Sequence, residues 1–364
     1  MKLSRITIEN FRNYSKYTHN FAPDKDFTIF AGPNGIGKTN FLEAVYVLSL
    51  GRSFRSIHRD DLVEWEKPYT RCKAFIDSDA GKTELEFFYS TSPARIKNFK
   101  KNGVSLKNSE YFGNLLTVLF QPEDINMIYQ TPCLRRRYID IVLCQTDKKY
   151  LRSLAGYKKV LRQRNALLKE IFKMERGGQN VDHLKEDLQV LDEEMTPFGM
   201  EIIGKRLDFV DFLNQKLPAL YNEISGSGEK ITVLYLSKIA GKNYLDELFN
   251  RRSRDIQRVG TTAGPHRDDL VFYLNEKEIA HFGSRGEART LLLALKLAEI
   301  RYIEEKTGQK PVLLLDDVFS ELDRKRQQHL LGAIRGCQTI MTATDASSIE
   351  KIATDSEFAA IARR

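Results

Sequence analysis

The chain is poor in the features that would place it in several functional classes. It has four cysteines in 364 residues, Cys72, Cys133, Cys144 and Cys337, and no two of them form a C-x-x-C pair. That scatter argues against a disulfide framework, a zinc site and a thiol-redox motif alike. No run of about 18 apolar residues exists, so the sequence holds no candidate membrane helix. The N-terminus, Met1-Lys-Leu-Ser-Arg-Ile-Thr-Ile-Glu-Asn10, alternates like a strand and does not read as a signal peptide. The expectation is a cytoplasmic protein. Internal repeats and low-complexity segments are also missing.

What is present is ordinary globular composition with a basic excess. Hydrophobic residues make up 41% and charged residues 29%, with a net charge of +8 and a sequence pI near 9.1. The length exceeds the roughly 250–300 residues at which one core stops growing, which predicts two lobes. The basic residues cluster at Arg95-Ile-Lys-Asn-Phe-Lys-Lys101, Arg135-Arg-Arg137, Lys148 to Arg164 and Arg251-Arg-Ser-Arg254. Such clusters suit a polyanion held through its phosphates without base specificity, and equally suit solvated helix faces.

The strongest local signal is Phe30-Ala-Gly-Pro-Asn-Gly-Ile-Gly-Lys-Thr-Asn40, which fits the phosphate-binding pattern G-x-x-x-x-G-K-[ST]. Gly32, Gly35 and Gly37 let the backbone curl so that successive N–H groups point at an anion, with Pro33, Asn34 and Ile36 completing the loop. Lys38 is placed to neutralise the outer phosphates of ATP, and the Thr39 hydroxyl to complete the shell of a magnesium ion. The flanks agree. Residues 26–31 read as a short buried strand and Asn40 to Leu50 as an apolar helix whose N-terminus favours negative charge.

Residues 1 to about 120 read as a mixed sheet region, with alternating stretches at 71–76 and 83–89 around an Asp77-Ser-Asp-Ala-Gly81 turn. From Lys148 to Lys173 apolar residues recur at helical spacing. A second helical pattern comes after the breaker Arg176-Gly-Gly-Gln-Asn180, with Pro197 and Pro218 expected to kink or divide it. Two such helices reach roughly 40 Å, too short for the arms of chromosome-bridging proteins. Strands return at 231–236 and 270–274, a helix is expected over Leu291 to Glu305, and Pro311-Val-Leu-Leu-Leu-Asp-Asp317 reads as a buried strand ending in two carboxylates. Beside a phosphate loop, Asp316 suits magnesium, mostly through its water, and Asp317 suits orienting and polarising the attacking water. Gly264-Pro-His-Arg-Asp-Asp269 offers a histidine and two carboxylates, and reads better as a turn with salt-bridged charges than as a metal site.

The joint arrangement of an early phosphate loop, a mid-chain glutamine loop, a Gly283-Ser-Arg-Gly286 helix start and a late acidic strand resembles the ATP-binding-cassette superfamily. Within it, several pieces resemble the RecF family of bacterial recombination and repair proteins. These are Ile8-Glu-Asn-Phe-Arg12, 31–40, Gly51-Arg-Ser-Phe-Arg55, Phe120-Gln-Pro-Glu-Asp124, Arg135-Arg-Arg137, 264–269 and 314–323, in order along nearly the whole chain. The resemblance implies an α/β fold, an ATP-binding-cassette-type ATPase lobe (1–120 and 306–364) with a second, mainly helical lobe (121–305). It makes Gln121 the glutamine-loop residue that links magnesium to the helical lobe, and Ser284 and Gly286 the signature residues that meet nucleotide on a partner chain. Asp323 would touch the partner, Thr344 would occupy the switch position, and Arg52 and Arg55 would sense nucleotide or DNA. Where the family usually shows Gly-Gln-Gln, this chain has Gly286-Glu-Ala288, which would bring a carboxylate near bound triphosphate.

The activity so implied is that of an ATP-dependent recombination mediator. It would dimerise on ATP, bind duplex DNA and single-strand/double-strand junctions, hydrolyse ATP weakly as a DNA-stimulated switch, and promote RecA loading in gap repair with RecO and RecR. A chromosome-organising or nuclease-associated ATPase of the same superfamily is the alternative.

Overall fold

The computed structural model describes residues 1–78, 81–344 and 356–359. They fall into two compact units. One comprises Met1–Ile125, Leu220–Ser227 and Arg289–Arg364; the other comprises Asn126–Ala219 and Gly228–Ala288. The segment 121–305, assigned to a helical lobe from sequence, contains the second unit together with stretches that contacts group with the first.

The first unit is built from two sheets. Six antiparallel strands form the order β2-β1-β4-β5-β6-β7: β1 (Lys2–Phe11), β2 (Tyr14–Asn20), β4 (Tyr69–Ser78), β5 (Gly81–Ser90), β6 (Ile96–Lys101) and β7 (Val104–Ser105). Asp79 and Ala80, in the turn anticipated between β4 and β5, lie outside the described residues. Five parallel strands form the order β14-β3-β13-β12-β8: β3 (Phe27–Ala31), β8 (Thr117–Phe120), β12 (Val312–Asp316), β13 (Thr339–Ala343) and β14 (Ser356–Ala359). The sequences of β3, β8, β12 and β13 are mostly apolar and buried, as strands covered on both faces require, whereas the edge strand β14 (Ser-Glu-Phe-Ala) is partly exposed.

The helix Lys38–Leu50 packs on strands of both sheets. Eleven of its thirteen residues are buried, including the polar Lys38, Glu43 and Ser49. An ordinary surface helix has one apolar stripe. This one is apolar almost all round because it has a sheet on either side, and Phe41 packs against Phe30 of β3 with ring centroids 4.3 Å apart.

The second unit holds the helices Pro132–Thr146 and Lys148–Arg176 and most of Asp182–Ser225, with a small antiparallel sheet of β9 (Ile231–Leu236), β10 (Asp269–Leu274) and β11 (Lys277–Glu278). The helix from Asp182 runs unbroken for 44 residues, about 66 Å, so Pro197 and Pro218 do not divide it. Pro197 and Glu193, whose carbonyl loses its partner in the preceding turn, are both exposed, so that carbonyl lies on the solvent side of the helix.

Arginines inside this unit are buried with charged partners, although Arg164 Nη2 is left without a hydrogen-bond partner among the described residues. Arg164 has no exposed side-chain area and donates to Asp192 (2.6 Å), Asp255 (2.8 Å) and the Thr261 hydroxyl (2.9 Å), while Arg252 holds the second oxygen of Asp192. Arg206 donates to Asp140, the Tyr150 hydroxyl and the Pro265 carbonyl. The 264–269 segment is tied into the same framework. Arg135 grips Asp269 with two nitrogens (2.7 and 2.8 Å), and Tyr235 donates to Asp268. Gly264 has φ +131°, and a Cβ there would lie 2.3 Å from the Tyr244 hydroxyl. Among the described residues no group of three or more His, Cys, Asp or Glu forms a metal cluster.

His266 is held between the Tyr157 hydroxyl at Nδ1 (2.7 Å) and the Thr261 carbonyl at Nε2 (3.0 Å), an arrangement the neutral ring satisfies with Nε2–H donating. Burial pushes its pKa down to about 4, opposed in part by the hydrogen bond to the Thr261 carbonyl, with Arg267 and then Arg136 adding smaller downward pushes. The unfolded chain protonates this ring near 6.5. As pH falls from about 6.5 to about 4, the unfolded state takes up a proton that the folded state refuses, so this contribution is present above that window and lost within it. Urea unfolding between pH 7 and 4.5 should therefore lose roughly 1–3 kcal/mol from this group. His266→Gln should flatten that part of the pH dependence, and an unchanged slope would exclude the ring as its source.

Candidate nucleotide site

Register in the parallel sheet assembles the site. Ala343 of β13 pairs with Ala31 of β3, Asp316 of β12 pairs with Thr342 of β13, and Phe120 of β8 pairs with Leu315 of β12. Four strands therefore end in line, and the residues leaving each strand are brought to one place: the phosphate loop after β3, Asp317 after β12, Thr344 after β13, and Pro122 and Glu123 after β8. α/β sheets present ligands at this carboxyl edge. Here the edge surrounds a cavity of about 360 Å³ lined by Asn34, Gly35, Gly37, Lys38, Thr39, Asn40, Arg55, Pro122, Glu123, Asp316, Asp317, Thr342 and Thr344.

The loop itself is braced from behind. Gly37 has φ +113° and sits so close to Asn13 that a Cβ would come within 2.5 Å of the amide nitrogen. Asn13 donates to the Ile36 carbonyl (3.1 Å), and the buried Tyr14 hydroxyl donates to the Gly37 carbonyl (2.9 Å). Asn40 reaches back to Asn13 (2.8 Å) and accepts from Arg55 (2.7 Å). Glu43, fully buried one turn into the helix, accepts two bonds from Arg12 (2.9 and 2.7 Å) and one from Ser53. The segments 8–12 and 51–55 are thus structural supports of the phosphate loop, contributed by the β1–β2 turn and the loop behind the helix. Arg52 is half-buried and does not line the cavity.

Lys38 donates to the carbonyls of Gly32 and Pro33, the latter at 2.9 Å. Burial lowers its pKa, against upward pulls from Asp317 and Asp316. Asp316 accepts from Thr39 (2.9 Å) and Thr342 (2.8 Å) on one oxygen. Asp317 has φ +51°, and its N–H donates to the Thr342 hydroxyl (3.0 Å). Its carboxyl pKa is raised, chiefly by burial and next by Asp316, with Lys38 pulling the other way. Oxygen donors from Thr39 and Asp316 suit a hard cation, which would take its remaining ligands from phosphate and water.

Not every anticipated residue faces this cavity. Gln121 does not line it: its amide donates to Asp124 (3.1 Å), whose other oxygen holds the buried Lys296 (3.1 Å). Gly32, Pro33 and Ile36 contribute carbonyls and loop shape. Ser284 and Gly286 belong to the second unit. Asp323 caps the helix Arg324–Ala333 by accepting from the Arg326 N–H (2.9 Å), and this bond heads the causes that depress its pKa.

The helix Arg285–Thr307 opens with a reciprocal cap. The Ser284 N–H donates to Glu287 (2.6 Å) and the Glu287 N–H donates to the Ser284 hydroxyl (3.2 Å). The carboxylate that the sequence brings into the signature is therefore turned onto its own backbone.

These features define a nucleotide-binding ATPase of the ATP-binding-cassette type. The RecF/RecN/SMC N terminal domain family matches residues 2–361. A DNA replication and repair protein RecF from Halalkalibacterium halodurans is 38% identical over 363 residues, covering 96% of this chain and 94% of the relative. A solved structure described as the recombination mediator protein RecF-ATPrS in the RecFOR pathway superposes with a TM-score of 0.87 at 34% identity, covering 95% of this chain and 93% of that one. A second, described as RecF-ATP, gives 0.86 at 35%, covering 95% and 92%. The chain belongs to the RecF family.

Removing the cap should separate structural from chemical roles at Glu287. Glu287→Ala should lower stability by about 1 kcal/mol in urea unfolding, whereas Glu287→Gln, which keeps an acceptor, should cost less than half of that. Equal losses would show that the cap contributes nothing.

Proposed function

We propose that this chain is an ATP-operated DNA-binding switch acting as a recombination mediator. The observation that carries the nucleotide half of this reading is the convergence of Lys38, Thr39, Asp316 and Asp317 at one sheet edge. Loop N–H groups hold the phosphates, and Lys38 exchanges two backbone carbonyls for phosphate oxygen. Thr39 and Asp316 would hold magnesium, which supplies charge neutralisation to the phosphates when bound. Asp317, its basicity raised by burial and by its neighbour, orients and polarises the attacking water.

Two chains pair head to tail over two ATP molecules, with Ser284 and Gly286 of each meeting the nucleotide of the other. The paired form grips duplex or gapped DNA, and slow hydrolysis releases it. A ligand that binds one state better than the other is sufficient to drive such a switch. The RecF names and the RecFOR pathway of the solved relatives support a role in gap repair, with RecO and RecR as partners and RecA loading as the outcome. The basic charge supports the nucleic acid.

Sedimentation with magnesium-ATP and a short gapped duplex tests the switch, since a monomer that ignores both would overturn it. Asp317→Asn should retain ATP binding within about threefold, slow hydrolysis by roughly a hundredfold, and accumulate the dimer. Hydrolysis at the wild-type rate would move the water-polarising role to Glu123, the other carboxylate on the cavity wall beyond the aspartate pair.

A further inference from the structure

The helix Lys148–Arg176 carries ten Lys and Arg against two Glu, and its structure sorts them into different jobs. Arg164 is buried, Lys149 pairs with Glu201, and Lys158 lies 3.8 Å from Asp140. The remaining seven are Lys148, Arg152, Lys159, Arg162, Lys169, Lys173 and Arg176, and every one is exposed. They occur at steps of three, four and seven, a spacing that keeps them within an arc of about 120° on one helix face. Ala155, Ala166 and the half-buried Leu151 fill the positions of this row that lack a cation, with Lys158 at one edge and Glu170 at the other.

Two observations separate this row from an ordinary solvated face. Among the described residues none of the seven makes an ion pair, although the partnering helix Asp182–Ser225 is rich in acid. The ion pairs joining that helix to this one or its cap use Lys149 with Glu201, Lys185 with Glu175, Lys205 with Asp147 and Arg164 with Asp192, none of them in the row. The row also contains no exposed large hydrophobic residue. A protein partner draws most of its binding from apolar and aromatic anchors in the centre of an interface, and a membrane-surface helix needs a free apolar face. The apolar face of this helix is already buried, with Tyr150, Leu154, Tyr157, Val160, Leu168 and Ile171 inside.

We infer that this row is a track for the phosphate backbone of a nucleic acid duplex. From Lys148 to Arg176 it is about 42 Å long, the rise of about 12 base pairs at 3.4 Å each. Its cations are long, free of ion pairs and carried on a rigid element, with Arg176 alone lying over a ring, that of Phe172 (5.6 Å), and within its arc the row has no aromatic or amide group with which to read base edges. The contact is therefore independent of sequence and steep in salt. This inference rests on the DNA-binding reading above and assigns it a surface.

The test is the salt dependence of binding to a 30-base-pair duplex of fixed sequence by the full chain with magnesium-ATP. Lys159→Gln, Arg162→Gln and Lys169→Gln together should weaken binding by about 10- to 100-fold near 0.1 M salt and make the log–log salt slope shallower by about 2 to 3. The same number of charges removed at Lys230, Lys238 and Lys277, exposed elsewhere in the second unit, should change the slope by less than 1. Thermal unfolding checks that both triple variants remain folded. An unaltered slope in the first variant, or an equal loss in the second, would overturn the track and leave the row to an acidic protein or to solvent. A wild-type chain that ignores duplex at every salt concentration would instead overturn the DNA-binding reading itself.

Discussion

The parallel pairing of β12 with β13 and β8 is the constraint on which the nucleotide site depends. A shift of one residue in that register would carry Asp316 away from Thr342 and turn its side chain to the other face of the sheet. The hydroxyls of Thr39 and Thr342 would then lose the acceptor they share. The apolar runs 117–120, 312–315 and 339–343 enforce the pairing because they are buried on both faces. The chemistry at the edge is thus held by hydrophobic contacts in the middle of the sheet. The same burial that positions Asp316 and Asp317 also raises the basicity of Asp317, so placement and reactivity have one cause.

Much of this site was legible because its signals are local. A glycine spacing, a lysine and a hydroxyl within eight residues describe the phosphate loop, and an apolar run ending in two aspartates describes its counterpart. What could not be read was which distant side chains stand behind them. Asn13, Tyr14, Glu43 and Ser53 are ordinary residues whose importance appears only when the β1–β2 turn closes over the loop. Glu123 and Thr342 reach the cavity through strand register, which periodicity does not reveal. At Pro197 the local rule that proline breaks a helix yields to tertiary packing: the flanking turns are anchored on the unit's core, and the orphaned carbonyl is on the wet side.

Charge was the least legible property. Arginines within one run of sequence have opposite fates. Arg164 disappears into a network of two aspartates and a threonine, where losing one partner would strand a buried charge, while Arg162 two residues earlier is free in solvent. Composition counts them alike. Helical phase separates them, and only the identity of the partners on neighbouring elements says which are committed to the fold.

The helix behind the phosphate loop, clasped by a sheet on each side, has a mechanical consequence. Its backbone amides exchange with solvent only when both sheets open, so they belong to the most slowly exchanging part of the first unit. The loop is continuous with that helix and tied to it through Asn40 and Asn13, which holds the Ile36 carbonyl, so it is a fixed anvil. Any displacement that nucleotide causes is left to segments with a free side, such as the turn after β12 and the loop after β8.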